Sequence, residues 1–373
     1  MKIALVHDYI REYGGAERVL KTLSEMFPKA PIYTAFRVRG STADKEFKGK
    51  KIVESFLAPI LKIDNFYSPL RFLIPFIWKN MDLSEYDLVI TSASWYVTRG
   101  FKVGKNTKVI CYCHTPPRWL YGYGTSVGFT KYWPVKVYSA VVGHFIRMYD
   151  FASAQTVDNW IANSENVAAR IEKFYRKDSK VIYPPVEVEK IIKATQNLKK
   201  EDYFLIVSRL VGAKGLEEAA ALAKKLDYKL KIVGETHGFA GVKKELEGLS
   251  GGNVELLGRV PDEELYKLYG RARGFIALAK DEDFGMSVVE AQAAGTPVIA
   301  FNGGGFKESV VDGETGILIG DTNEKTMGNA IERLKRVRWD REKLQANAKR
   351  FSKERFKRQI KEFVEKHGYQ FNS

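Results

Sequence analysis

Two glutamates eight positions apart, Glu282 and Glu290, bracket a glycine turn in EDFGMSVVEAQAAGTPVIAF, residues 282–301. Ionised carboxylates only accept hydrogen bonds, so the pair is suited to holding hydroxyls. Residues 286–294 read as a helix, which puts Glu290 near its start and leaves Glu282 in the preceding loop. The first amides of a helix lack intrahelical partners and lie at the positive end of its dipole. The N–H groups of Phe284, Gly285 and Met286 would therefore meet an anion or a hydroxyl. Acceptors beside open donors suit a polyhydroxylated, phosphorylated ligand, for which a nucleotide sugar is the candidate. The competing account is that the acidic residues merely offset the helix dipole.

Three further sites carry candidate chemistry. In SRLVGAKG, Arg209 and Lys214 stand just past a β-rich run, where open α/β sheets bind ligands. Arg offers a fork of donors and Lys a mobile point charge, a combination that neutralises a diphosphate; solvated surface cations are the alternative. In HDYIREYGGAERVL, Gly14 and Gly15 fall between a strand and a helix, where a bare backbone can approach a phosphate. Turn geometry alone would also explain them. His114 ends VICYCHT before Thr115-Pro116-Pro117, at a strand terminus, and fits either a contact to a substrate hydroxyl or a structural role. Neither G-x-G-x-x-G nor G-x-x-x-x-G-K-[ST] accompanies these glycines, which excludes the dinucleotide fingerprint and the phosphate loop.

The elements that must position these residues read as α/β. KIALVH, DLVITS, KVICYCH and NWIANS are short runs rich in Val and Ile, alternating with helical stretches such as residues 15–27. The pattern restarts after Tyr183-Pro184-Pro185 with YFLIVSRL, KLKIVGE, NVELLGRV, GFIALA, PVIAF and GILIG, separated by helical runs at 216–226 and 262–273. Strands alternating with helices imply parallel sheets covered on both faces. Adjacent prolines suit a link between two domains, and 373 residues suit two cores. From Asn323 onward the chain is helical and basic, with Trp339, Leu344, Phe351, Phe356, Ile360, Phe363 and Val364 at roughly helical spacing.

Composition narrows the partners. Hydrophobic content of 45% with 13% aromatic residues indicates a packed globular protein. The only cysteines, Cys111 and Cys113, share one strand face and lack the second pair a zinc site needs, so core packing in a reducing cytosol is expected. No secretory leader is read at the amino end, and no apolar run reaches the ~18 residues a membrane span requires. Net charge is +15, unevenly spread: residues 1–186 hold 27 Lys and Arg against 16 Asp and Glu. Such a basic half suits an anionic partner, either a membrane surface or nucleic acid. No zinc finger, helix-turn-helix or aromatic-basic RNA motif supports the nucleic-acid option. Residues 66–78, an aromatic stretch broken by Arg71 and Pro75, would either lie on an anionic leaflet or bury in the first domain.

These motifs together resemble glycosyltransferase family 4. EDFGMSVVE matches its E-x7-E signature, AQAAGTPVIA its usual continuation, SRLVGAKG its R-L-x-x-x-K-G segment and GGAERVL its amino-terminal Gly-Gly loop. HDY, GGAERVL, CYCHTPPRWLY and the 282–301 stretch look most like polysaccharide and O-antigen mannosyltransferases. The resemblance implies the GT-B fold, with two Rossmann-like domains and parallel sheets facing a central cleft. The first would cover residues 1–186 on the acceptor side and the second 187–350 on the donor side. Residues 351–373 would form a helix returning toward the first domain.

By the same resemblance, Arg209 and Lys214 grip the donor diphosphate and Glu290 the ribose. Glu282 with Phe284, Gly285 and Met286 holds the donor sugar, and His114 contacts it near the reacting carbon. Gly14 and Gly15 would approach the phosphate or the acceptor, and with Gly234 they complete the donor-binding set. The implied activity is retaining transfer of a hexose, mannose from GDP-mannose, to a saccharide or lipid-linked acceptor in surface polysaccharide synthesis. The location would be cytoplasmic, peripheral on the inner membrane face. Cations and helix N–H groups would do the work a divalent metal does elsewhere, so neither metal nor cofactor is expected. A UDP-sugar-dependent relative and a GT-B sugar-nucleotide epimerase are the rival enzymes; a basic nucleic-acid-binding protein is the remote one. Asp283, where many relatives carry Gly, and the Gly-Ala of LVGAKG, where they often carry Pro-Glu, depart from the pattern.

Overall fold

The computed structural model describes residues 1–63, 67–123, 133–235 and 240–368. The chain forms two units, one of Met1–Pro185 with Phe356–Ser373, the other of Val186–Arg355.

The first unit is built on seven parallel strands: β1 (Ile3–His7), β2 (Ile32–Thr34), β3 (Ile52–Glu54), β4 (Leu88–Ala93), β5 (Lys108–Cys113), β6 (Asn159–Ala162) and β7 (Lys180–Val181). Their spatial order is β3-β2-β1-β4-β5-β6-β7, so the winding direction reverses between β1 and β4. Ligands of open parallel sheets bind beyond the carboxyl ends of the strands flanking such a reversal. His7 ends β1 and is in register with Ser92 of β4, which places two polar side chains at that crevice. Both faces of the sheet are buried. Val19, Leu20 and Leu23 of helix Gly15–Met26 pack on one side with Leu5, Ile90 and Ile110, and Phe356, Ile360 and Val364 of helix Lys353–Lys366 join the same core. On the other side Cys111 and Cys113 pack with Val6, Val89, Trp78 and Trp160.

The second unit has six parallel strands: β8 (Phe204–Val207), β9 (Leu230–Val233), β10 (Val254–Gly258), β11 (Gly274–Ala277), β12 (Val298–Phe301) and β13 (Gly316–Ile319). Their order is β10-β9-β8-β11-β12-β13, with the reversal between β8 and β11. Strands of only four or five residues suffice because their apolar side chains are shielded by helices on each face. Leu216, Ala219, Ala220 and Ala223 of helix Leu216–Lys225 fill one layer, joined by Met327, Ile331 and Leu334 of helix Glu324–Arg336.

Several sequence expectations are refined. The strands β2, β3 and β7 have two or three residues each, too few for periodicity to reveal. The basic carboxyl end is three helices, Glu324–Arg336, Arg341–Lys349 and Lys353–Lys366. Trp339 lies between the first two, donating its indole N–H to Leu334 O at 3.0 Å. Of the aromatic stretch 66–78, Phe66 lies outside the described residues. The rest forms a 3₁₀ turn, Pro69–Leu73, and helix Ile74–Lys79, with Ile74, Ile77 and Trp78 buried and Phe72 and Phe76 exposed. Among the described residues, no helix is long and apolar enough to cross a membrane.

Candidate functional site

In the second unit the reversal between β8 and β11 gathers the cations and one of the glutamates. Leaving β8, the chain makes a short turn, Gly212–Lys214, then passes through Gly215 in the left-handed region (φ +67) into helix Leu216–Lys225. A side chain at Gly215 would press on Leu278 Cβ at 2.9 Å, so the turn lies tight against the end of β11. That closeness lets Lys214 Nζ reach Glu282 Oε2 at 2.5 Å. Arg209, one residue further from β8 than Ser208, is exposed and has no ion-pair partner among the described residues. The cation expected for a diphosphate and the carboxylate expected for a sugar are thus held together by one ion pair.

Gly285 (φ +87) opens helix Met286–Ala293, and a Cβ there would come 2.4 Å from the Phe306 ring. Phe284 is buried beside Phe351, their ring centroids 5.3 Å apart. Three consecutive glycines after β12, Gly303 to Gly305, allow the next turn to pack backbone to backbone against the Glu282 loop. Gly305 N donates to Glu282 O at 2.9 Å, and a Cβ on Gly304 would stand 2.2 Å from that same carbonyl. In the sequence the signal for this support is Gly303-Gly304-Gly305, one residue past the apolar run VIAF.

Glu290 sits in the second turn of its helix, 4% exposed, with Oε2 accepting from Tyr269 OH at 2.8 Å. Tyr269 comes from helix Asp262–Arg271, whose packing on this helix the sequence alone does not reveal. Asp283 is half-buried, its carbonyl pressed beneath Gly305. Gly234 has a packing reason of its own: at φ +154 a Cβ would collide with Ser208 O at 1.8 Å, so only glycine lets β9 end beside β8. The run Asp281-Glu282-Asp283 also has the spacing of an acidic metal motif. Its middle carboxylate is engaged by Lys214, and among the described residues no three His, Cys, Asp or Glu side chains converge as a metal set.

In the first unit the reversal between β1 and β4 holds a file of polar side chains. Glu17 Oε1 lies 3.4 Å from His7 Nε2, His7 Nδ1 3.0 Å from Ser92 Oγ, and Ser92 Oγ 2.8 Å from His114 Nε2. His114 is 8% exposed, and burial, reinforced by the neighbouring His7, pushes its pKa down to about 3, so it is neutral near pH 7. Only His114 of this file is singled out as a contact residue; His7 and Glu17 fall within HDYIREYGGAERVL, but Ser92, which links them to His114, is 85 residues from His7. The Gly14-Gly15 turn also differs from expectation. Gly14 N donates to Glu17 Oε2 at 2.9 Å, so that amide caps its own helix and is not open to a phosphate. Asp8 stabilises the loop after β4, accepting from Trp95 N at 2.6 Å and Tyr96 N at 3.2 Å. Cys111 and Cys113 are both buried in the core, and burial raises the Cys111 thiol to about 12.

Comparison with known proteins meets this geometry at both units. The family model for glycosyltransferase family 4 matches residues 13–190, and that for the group 1 glycosyl transferases matches residues 187–351. The chain belongs to glycosyltransferase family 4. An uncharacterized glycosyltransferase of Methanocaldococcus jannaschii is 28% identical over 206 residues, covering 55% of this chain and 58% of that protein. A D-inositol 3-phosphate glycosyltransferase of Corynebacterium diphtheriae is 41% identical over 81 residues, 22% of this chain and 19% of that protein. The family 4 chain therefore spans less than two thirds of the length of these relatives. Among solved structures, Anabaena Alr3699/HepE in complex with UDP and glucose superposes with a TM-score of 0.67 at 19% identity, covering 98% of this chain and 99% of that one. Sucrose-phosphate synthase of Thermosynechococcus elongatus gives 0.72 at 17% identity, again over 98% and 99%. At these identities the likeness is one of fold: two Rossmann-like units of the GT-B class.

Proposed function

We propose that this protein is a retaining hexosyltransferase that uses a nucleotide-sugar donor without a metal, and that the donor is GDP-mannose. The observation that carries the reading is the Lys214–Glu282 pair at 2.5 Å, set at the strand reversal beside the glycine-capped start of helix Met286–Ala293. Cleaving the anomeric C–O bond leaves growing negative charge on the departing diphosphate. Arg209, Lys214 and the helix amides supply preorganised positive charge for it, the role a divalent ion would otherwise take. Glu282 would exchange its ammonium partner for sugar hydroxyls, and Glu290, oriented by Tyr269, would accept from ribose. Neutral His114 would accept from a hydroxyl near the reacting carbon.

The choice of mannose rests on motif resemblance, and a UDP-sugar is the second reading, favoured by the UDP complex of the Anabaena structure. A thermal-shift panel of GDP- and UDP-sugars with excess EDTA tests both, since ligand binding to the native state raises Tm by mass action. A shift with GDP-mannose alone supports the first reading, one with UDP-sugars alone the second. No shift with either rejects the donor site. Product analysis with donor alone separates an epimerase, and the anomeric configuration of the product tests retention.

A lipid-linked acceptor requires access to a membrane surface, and the first unit carries a face suited to one. Along helix Trp133–Ala154, Trp133 (76% exposed), Val137, Val141, Phe145 (64%) and Met148 recur every three or four residues on the outside. The Tyr138 hydroxyl bonds to Pro69 O, joining this helix to the segment that exposes Phe72 and Phe76. In Pro69–Lys79 and Trp133–Ala154 the charged side chains are Arg71, Lys79, Lys136 and Arg147, plus one acid, Asp150, fully buried against Arg99. Within these segments Arg71 is stacked between Trp95 and Trp119, while Lys79 and Lys136 are exposed and no acid is, a combination that complements an anionic bilayer. Sedimentation with phosphatidylcholine vesicles, with and without phosphatidylglycerol, tests this. Binding should require the anionic lipid and weaken at least about fivefold in Phe76→Ser/Phe145→Ser. Binding indifferent to lipid charge rejects it, and a dimer dissolved by the same substitutions would assign the face to a second copy.

A further inference from the structure

Water has little access to the file in the first unit: His7 is 2% exposed and Ser92 fully buried. Buried polar atoms must then satisfy one another, and the direction of each hydrogen bond follows from the one before it. A carboxylate only accepts, so the proton between Glu17 Oε1 and His7 belongs on His7 Nε2. With His7 in its neutral form and protonated there, Nδ1 is bare and takes the single O–H of Ser92 at 3.0 Å. The Ser92 oxygen then meets His114 Nε2 at 2.8 Å with lone pairs, so His114 must carry its proton on Nε2. Its Nδ1, which has no hydrogen-bond partner among the described residues, is left as a lone-pair acceptor.

We propose that Glu17, His7 and Ser92 are positioning residues that fix the tautomer of His114, leaving its Nδ1 to accept from a hydroxyl of the transferred sugar or of the acceptor. The identity of that hydroxyl rests on the function proposed above; the ordering of the file does not. The geometry supplies an unusually sharp variant. Glu17 Oε2 also accepts from Gly14 N at 2.9 Å, and a backbone N–H can only donate. In Glu17→Gln the amide oxygen must therefore stay on Gly14, turning the NH₂ toward His7 Nε2. That NH₂ demands a bare Nε2, so every bond in the file reverses and the His114 proton moves to Nδ1.

The test uses full-length protein labelled with ¹⁵N-histidine, in long-range ¹⁵N–¹H correlation spectra assigned with His114→Gln. The wild type should show His114 protonated on Nε2, Glu17→Gln should show it on Nδ1, and Ser92→Ala should give a mixture that Ser92→Thr restores to the wild-type form. With donor and acceptor, Glu17→Gln and Ser92→Ala should lower kcat at least about fivefold with donor KM within about twofold, and Ser92→Thr should recover it. A His114 proton on Nδ1 in the wild type, or a tautomer undisturbed in both variants, overturns the file. A shifted tautomer with unchanged kcat overturns the positioning role. The spectra need no donor, so failure of the proposed transfer reaction would be seen separately from failure of the file.

Discussion

At the scale of single residues, the paired glutamates do different work from what their spacing alone suggests. Glu282 is held by Lys214 and Glu290 by Tyr269, so neither waits as an isolated acceptor. Replacing either Lys214 or Glu290 with Ala should lower transfer at least about tenfold, roughly 1.4 kcal/mol of barrier. Wild-type turnover in both variants would sink the assignment of the donor site. Tyr269→Phe, which removes only the hydroxyl, should raise donor KM while leaving the fold intact by circular dichroism. His114 makes a prediction of a different kind. Its folded pKa of about 3 lies below the ordinary value of 6.5, so below pH 6.5 the unfolded chain binds a proton that the native state refuses. Its contribution to stability is therefore complete above pH 6.5 and lost as pH falls toward 3, amounting to about 2 kcal/mol by pH 5. The titratable side chains packed around it are His7, Glu17 through His7, and Tyr112, whose ring centroid is 5.2 Å away. Denaturant titrations at pH 7 and pH 5 should show a smaller pH loss in His114→Gln than in the wild type. An equal loss in both would contradict the buried neutral imidazole.

At the scale of elements, the site depends on backbones approaching where a side chain would intervene. Gly234 and Gly258 both have positive φ, but only Gly234 faces a carbonyl within van der Waals range. Gly258→Ala should cost about 1–2 kcal/mol, the strain of the left-handed region alone. Gly234→Ala adds the collision with Ser208 O and should cost about 3–5 kcal/mol, measured by urea unfolding. Equal costs would mean that the close approach of β8 and β9 is not what selects glycine. This contrast explains what was readable beforehand. Runs such as FLIV, GFIA and VIAF announce buried strands because nearly every residue is apolar. The E-x7-E and R-L-x-x-x-K-G motifs place the loops because their elements are contiguous in sequence. The file of Glu17, His7, Ser92 and His114 could not be read that way: His7 and Ser92 are 85 residues apart, and only the register of β1 with β4 brings them together. Tyr269 escaped for the same reason, since a tyrosine on a helix reads as core until its partner is known.

At the scale of the whole molecule, the chain leaves its first unit at Pro185 and comes back to it at Phe356. Phe356, Ile360 and Val364 lie one helical turn apart on one stripe, and all three are buried with Leu5, Ile90 and Ile110 beneath β1, β4 and β5. Phe363 packs partly against the same core, the remaining positions of that helix are mostly charged and exposed, and its ion pair Lys357–Glu25 at 2.9 Å is of the partly exposed sort that contributes little. The apolar stripe therefore dominates. Losing three such side chains removes on the order of 5–10 kcal/mol, comparable to the whole stability of an ordinary domain. Truncation after Arg355 should accordingly unravel the first unit while sparing the second, although the residues removed are the last in sequence. Hydrogen exchange followed by peptide mass spectrometry reads the two separately. Amides of β1, β4 and β5 should lose protection, and those of β8, β11 and β12 should keep it. If the truncated chain is insoluble, Phe356→Ala should show the same asymmetry with a loss of about 3–5 kcal/mol. Protection lost equally from both sheets would mean that the terminal helix is not a member of the first core. Unchanged protection in both would mean that its apolar stripe contributes nothing to folding.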